Sequence, residues 1–89
     1  MDIMTFKIKL MQGMYNEVRD MKYEYVHKDL PIQEEVPFNI EYHIGRYHVY
    51  RELLEDIDKD ICDKIDSECT PFIDTMHNFI DDFIKTIRG

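Results

Sequence analysis

The stretch PFIDTMHNFIDDFIKTIR, residues 71–88, sets the architecture of this chain. Wound at about 100° per residue, Phe72, Ile73, Met76, Phe79, Ile80, Phe83, Ile84 and Ile87 fall within an arc of roughly 140°. Asp74, Thr75, His77, Asn78, Asp81, Asp82, Lys85, Thr86 and Arg88 take the opposite side. Such a helix must bury its apolar face against something. Its ends agree with its face. Thr70 suits an N-cap and Pro71 the first helical position. Asp74 suits the positive end of the helix dipole, Lys85 and Arg88 the negative end, and Gly89 a stop.

Working back from that segment, a second helix is expected from about Pro37 to Glu68. Its apolar face is Ile40, Ile44, Tyr47, Tyr50, Leu54, Ile57, Ile61, Cys62 and Ile65. A first helix is expected over about 3–28, with Ile3, Met4, Ile8, Leu10, Met11, Met14, Tyr15, Val18, Met21, Tyr25 and Val26 on one wide face. Lys7 and Lys22 intrude on that face, and Gly13 falls on the polar side. Between these two helices, residues 27–37 hold Pro31 and Pro37 and read as a loop of ordinary length. At 1.5 Å per residue the second helix would run about 45 Å and the third about 27 Å. A second subunit would then be needed to cover the apolar excess of the longer one.

The expected fold class is therefore all-α, a three-helix arrangement in a single domain over residues 1–89. A long first helix and a long second helix are followed by a short amphipathic third. The short break at Thr70-Pro71 makes the second and third an antiparallel hairpin. Alternation in Ile40-Glu41-Tyr42-His43-Ile44, with Gly45 as a turn, supports one alternative: an α+β fold with a short hairpin near 38–50. The segments Phe6–Leu10 and Tyr23–Val26 also alternate.

Composition narrows function by exclusion. The 89 residues are 44% apolar and 34% charged, which is globular. No run approaches the roughly 18 apolar residues of a membrane span. Met1-Asp2-Ile3-Met4 lacks the basic start of a signal peptide, so a cytoplasmic location is expected. The net charge of −8 is uneven, with −2 on residues 1–50 and −6 on residues 51–89. An acidic chain is repelled by nucleic acid and by anionic membrane, so neither is an expected direct partner. A basic or nucleic-acid-binding protein is.

The strongest candidate site is the acidic run from Glu52 to Glu68. On a continuous helix, Glu52, Glu55, Asp56, Asp60, Asp63 and Asp66 cover one sector opposite the apolar stripe, interrupted by Lys59. The bland reading is a solvated face neutralised in part by the i,i+4 pairs Glu55–Lys59 and Asp60–Lys64. The functional reading is a docking surface. Carboxylates at i and i+4 lie about 6 Å apart, close to the spacing of successive phosphates, so the sector has the form of a nucleic-acid mimic.

Other constellations are weaker. Asp56-x-Asp58-x-Asp60 resembles the opening of a calcium loop, but Ile61 stands where glycine is needed and Ser67 where glutamate is needed. The histidines lack metal-ligand spacing. Cys62 and Cys69 lie about 10 Å apart along a helix, too far for a disulfide, and read as small reduced core residues. Arg51 and Asp58 project into the apolar arc, either snorkelling to its edge or pairing across a dimer seam. No nucleophile with a neighbouring base, no phosphate loop and no oxyanion motif stands out. No metal, cofactor or catalytic residue is assigned.

In style, small acidic helical chains of this kind are similar to phage or mobile-element accessory proteins. That similarity implies an inhibitor or regulator of a host protein. The expected function is a small non-enzymatic protein–protein interaction protein, dimeric through the apolar surplus of its first two helices. The competing expectation is a structural or assembly component acting through homo-oligomerisation of its apolar helix faces. One consequence of the helical reading is direct. Ile80→Asp or Phe83→Asp should bury an unpaired charge at a cost of several kcal/mol, enough to unfold a marginal core. A melting curve like that of the wild type would show that the face is not buried.

Overall fold

A computed structural model of the chain describes residues 2–28 and 35–88. Three helices follow one another: α1 (Ile3–Val26), α2 (Val36–Ile57) and α3 (Lys59–Arg88). Residues 29–34 of the expected loop, and the expected stop at Gly89, lie outside the described residues. The fold is all-α, and the alternative hairpin near 38–50 is helix throughout.

α1 begins where Asp2 accepts the Thr5 amide at 2.8 Å, which satisfies one of the free donors of the first turn. Its buried residues Leu10, Met14, Glu17, Val18 and Met21 recur at helical spacing. α2 buries Val36, Pro37, Ile40, Ile44, Tyr47 and Leu54. α3 buries Cys62, Ile65, Cys69, Ile73, Met76 and Ile80. These faces meet in one core. Glu17 pairs with His43 while Lys7 pairs with Asp58, so α1 and α2 run antiparallel. Tyr47 reaches Asp66 while Phe38 meets Phe83, so α2 and α3 are antiparallel too, as the expected hairpin requires. Tyr15 bonds Glu68 and Tyr25 packs edge-on against Phe79 at 5.3 Å, so α1 and α3 run parallel. The result is an up-down-up bundle measuring 48 × 19 × 17 Å. Gly13 lets α1 and α2 come close, because a Cβ there would stand 2.9 Å from the Tyr50 ring.

The helix boundaries differ from those read in the sequence. The chain turns at Asp58, not at Thr70-Pro71. Asp58 is extended (φ −153°, ψ 88°), donates its amide to the Leu54 carbonyl at 2.8 Å and starts the next helix by accepting the Cys62 amide at 3.0 Å. Its carboxylate accepts the Ile61 amide at 3.1 Å, the geometry of an N-cap. The third helix is therefore 30 residues long, and the second is 22. Thr70 is not a cap. Its hydroxyl donates to the Asp66 carbonyl one turn back. Pro71 sits inside α3 on its exposed side.

The physical reason is the seam. From Cys62 to Ile80 the buried residues of α3 step by three or four without a gap, so nothing on the core side breaks at Pro71. Asp58, by contrast, is a polar residue at a seam position, and turning the chain there converts a buried charge into a cap. The greater length expected of the second helix belongs instead to the third.

Proline in a helix interior costs roughly 3 kcal/mol because it lacks the N–H and crowds the carbonyl four residues back. Pro71→Ala should therefore raise stability by as much as about 3 kcal/mol, seen as a higher denaturant midpoint at unchanged slope. Were residue 71 the start of a helix, the same change would be neutral or harmful.

Candidate functional site

The six carboxylates of the expected acidic sector do not share one helix. Glu52, Glu55 and Asp56 lie on the last turns of α2, and Asp60, Asp63 and Asp66 on the first turns of α3. The Asp58 corner brings the two groups to the same end of the bundle. Asp66 is half-buried and structural: it accepts the Tyr47 hydroxyl at 2.7 Å and stands 3.8 Å from Arg51. Asp63 is exposed and holds Lys59 at 2.7 Å. Glu52, Glu55, Asp56 and Asp60 are exposed, with no ion pair among the described residues. The corner is thus a patch of four free carboxylates with Asp63 beside them, not a continuous helical ladder.

Asp58 belongs to the frame of this patch. Lys7 pairs with it at 2.6 Å, and together with the Ile61 amide holds its carboxyl below the usual carboxylate range. Within the chain Asp58 pairs with Lys7 and not with Arg51, which stands 3.8 Å from Asp66 while its Nε is buried without a hydrogen-bond partner among the described residues. Burial pushes the Cys62 and Cys69 thiols up, which leaves little of the reactive thiolate. Cys62 donates to the Arg51 carbonyl at 3.3 Å.

A second polar cluster was not visible in the sequence. Glu17, with only 6% of its side chain exposed, accepts from Arg46 Nε at 2.5 Å and from His43 Nδ1 at 2.6 Å. The Arg46 guanidinium also donates to the Tyr42 and Tyr50 hydroxyls at 3.2 and 3.1 Å. A buried carboxylate is tolerated only when paired in this way. Oxygen and nitrogen donors of Glu17, Asp20 and His43 lie within 4.8 Å of one another, a spacing that a cation could bridge. Arg46 already supplies a full positive charge to Glu17, and Arg19 donates to Asp20. The cluster is accordingly a buried ion-pair network that locks the register of α1 on α2. The available signal was the spacing Leu10, Met14, Glu17, Met21, in which one seam position is an acid.

Large apolar side chains are also exposed on two helices: Ile3, Met4, Ile8, Tyr15, Tyr23 and Val26 on α1, and a row on the outward side of α2. Phe38, Tyr42, Val49 and Leu53 are exposed along it, on the side away from Ile40, Ile44, Tyr47 and Leu54. Among the described residues no helix is long and apolar enough to cross a membrane.

No protein-family model, no curated protein and no solved structure matches the chain. What the fold and its surfaces define is a three-helix bundle with an acidic corner and exposed apolar side chains on both α1 and α2.

His48, half-buried on α2, provides a pH test. Burial lowers its pKa below 6.5, and the positive charges of Arg51 and His77 lower it further. The unfolded state therefore binds more protons than the folded state below about pH 6.5. Stability should fall as the pH drops through that window. The fall should be shallower in His48→Gln, compared by thermal melts from pH 8 to 5. Equal slopes for the two proteins would remove His48 as the cause.

Proposed function

We propose that this chain is a small non-enzymatic interaction protein that docks on a basic, nucleic-acid-binding surface of another protein through its acidic corner. The observation that carries the reading is the cluster of exposed, unpaired carboxylates Glu52, Glu55, Asp56 and Asp60 at one end of the bundle, with Asp63 beside them. Residues 52–66 hold seven carboxylates and two lysines. Charge so concentrated accelerates encounter with a positive surface and repels nucleic acid itself. Pairs such as Glu52 with Asp56, one helical turn apart, keep the approximate phosphate spacing that a mimic needs. An inhibitor or regulator in the cytoplasm, of the kind phage and mobile elements carry, fits this reading. The carboxylates engaged in the fold, Asp58 and Asp66, are not part of the docking set.

A second reading is favoured by a separate observation. The apolar outward side of α2 suits a structural or assembly role through homo-oligomerisation. Salt separates the two, since docking through the corner weakens steeply with ionic strength and apolar assembly does not.

The test is the fourfold variant Glu52→Gln, Asp56→Asn, Asp60→Asn, Asp63→Asn. Surface ion pairs contribute about 0–1 kcal/mol each, so its melting temperature should stay close to that of the wild type. A partner captured by the wild type from its native host at low salt should bind the variant with a slower on-rate and a flatter salt dependence. Matching affinity and matching salt slope would show that the corner is only solvated.

A further inference from the structure

Two glycines lie within the helices, and their surroundings are opposite. Gly13 is required by the Tyr50 ring, whereas a Cβ on Gly45 would meet nothing within 4 Å. Glycine weakens a helix interior relative to alanine. No contact within the chain accounts for it at position 45. Close approach of a helix from outside the chain would.

Gly45 stands at the middle of the apolar stripe on the outward side of α2. Phe38, Tyr42, Val49 and Leu53 are 64, 60, 56 and 43% exposed, even though Phe38 meets Phe83 edge-on at its inner rim and Arg46 lies over the Tyr42 ring. They step by four, seven and four residues, so the spacing of apolar positions, though not their identity, is the same from either end. Phe38 and Leu53, and likewise Tyr42 and Val49, are equidistant from a point between Gly45 and Arg46. An interface between two copies related by a two-fold axis needs this self-complementarity. We infer that the outward side of α2 is covered by α2 of a second copy, antiparallel, with the two-fold axis passing between Gly45 and Arg46. The inference rests on the self-association reading and names its surface, orientation and register.

In that register Phe38 faces Leu53 of the second copy, and Tyr42 faces Val49 of the second copy. A hollow of about 270 Å³ bordered by Arg46, Val49 and Tyr50 opens where the incoming Tyr42 ring would arrive. Cavities of roughly 150 Å³ already accommodate a benzene ring. Charge selects the direction. A parallel pair would set the two acidic corners side by side. The antiparallel pair places the two Asp58 positions about 38 Å apart along the axis, several Debye lengths at physiological salt. Each corner then remains free for a basic partner.

Sedimentation equilibrium on the full chain at physiological salt should show a dimer. Val49→Glu and Gly45→Leu should each raise its dissociation constant at least tenfold. Neither should disturb the single chain, because both positions open to solvent, and leucine is the better helix former at 45. Circular dichroism and melting of the diluted monomer check this. Register is read by disulfide trapping, with Cys62 and Cys69 shielded by burial. Gly45→Cys should link to itself. Phe38→Cys should link to Leu53→Cys in a mixed sample, and not to itself. A monomer at all concentrations would overturn the inference and the self-association reading together. A dimer indifferent to Val49→Glu and Gly45→Leu, or one that links Phe38→Cys to itself, would overturn this interface while leaving self-association standing.

Discussion

The rest of the bundle depends on how one carboxylate is satisfied. Asp58 ends α2, caps α3 through the Ile61 amide and takes the Lys7 ammonium from α1, so all three helices meet at one side chain. Without those partners it would be a charge in an apolar seam, a costly arrangement. With them it becomes the corner that sends the chain back along α2. The antiparallel return then sets which face of α3 is inward. Cys62 to Ile80 meet the core, and Pro71 is left on the solvent side, where a missing N–H is tolerated.

Two further polar contacts hold the register that the corner begins. Glu17 draws His43 and Arg46 of α2 onto α1. Tyr47, fully buried, spends its hydroxyl on Asp66 of α3. Hydrophobic burial is roughly indifferent to a slide of one helix along another, because leucine, isoleucine and methionine exchange contacts easily. A buried carboxylate is not indifferent, since a slide would leave it unpaired. The acidic excess of the second half of the chain is thereby divided. Asp58 and Asp66 serve the fold, while Glu52, Glu55, Asp56 and Asp60 stay free at the corner.

α2 is the helix with two allegiances. Ile40, Ile44, Tyr47 and Leu54 face the core, and Phe38, Tyr42, Val49 and Leu53 face outward. A helix apolar on both sides shows weak periodicity. That is why residues 38–50 could also be read as alternating, and why the hairpin alternative arose there. Scattered exposed apolar residues are ordinary, whereas four aligned on one helix side around an unexplained glycine are not.

Local pattern was enough to establish that the chain is helical, that there are three helices, that the first spans almost the whole of residues 3–28, and that the face carrying Ile73, Met76 and Ile80 turns inward, although Ile84 and Ile87 of the same expected face are exposed because the core ends before them. Each of these rests on spacing along a single helix, which the amino-acid order states directly. The place of the second turn was not available in that way. Thr70-Pro71 and Asp58 both carry helix-start chemistry, and the stronger local signal was the proline. Asp58 prevails because Lys7, 51 positions away, reaches it and because the seam runs unbroken past Pro71. The acidic sector was legible as composition but not as shape, since it assumed one straight helix where the chain folds. The Glu17 network joins residues 26 and 29 positions apart, so no periodicity within one helix could have revealed it. Spacing reports which residues share a face, and only the packing of one helix on another reports which charges meet.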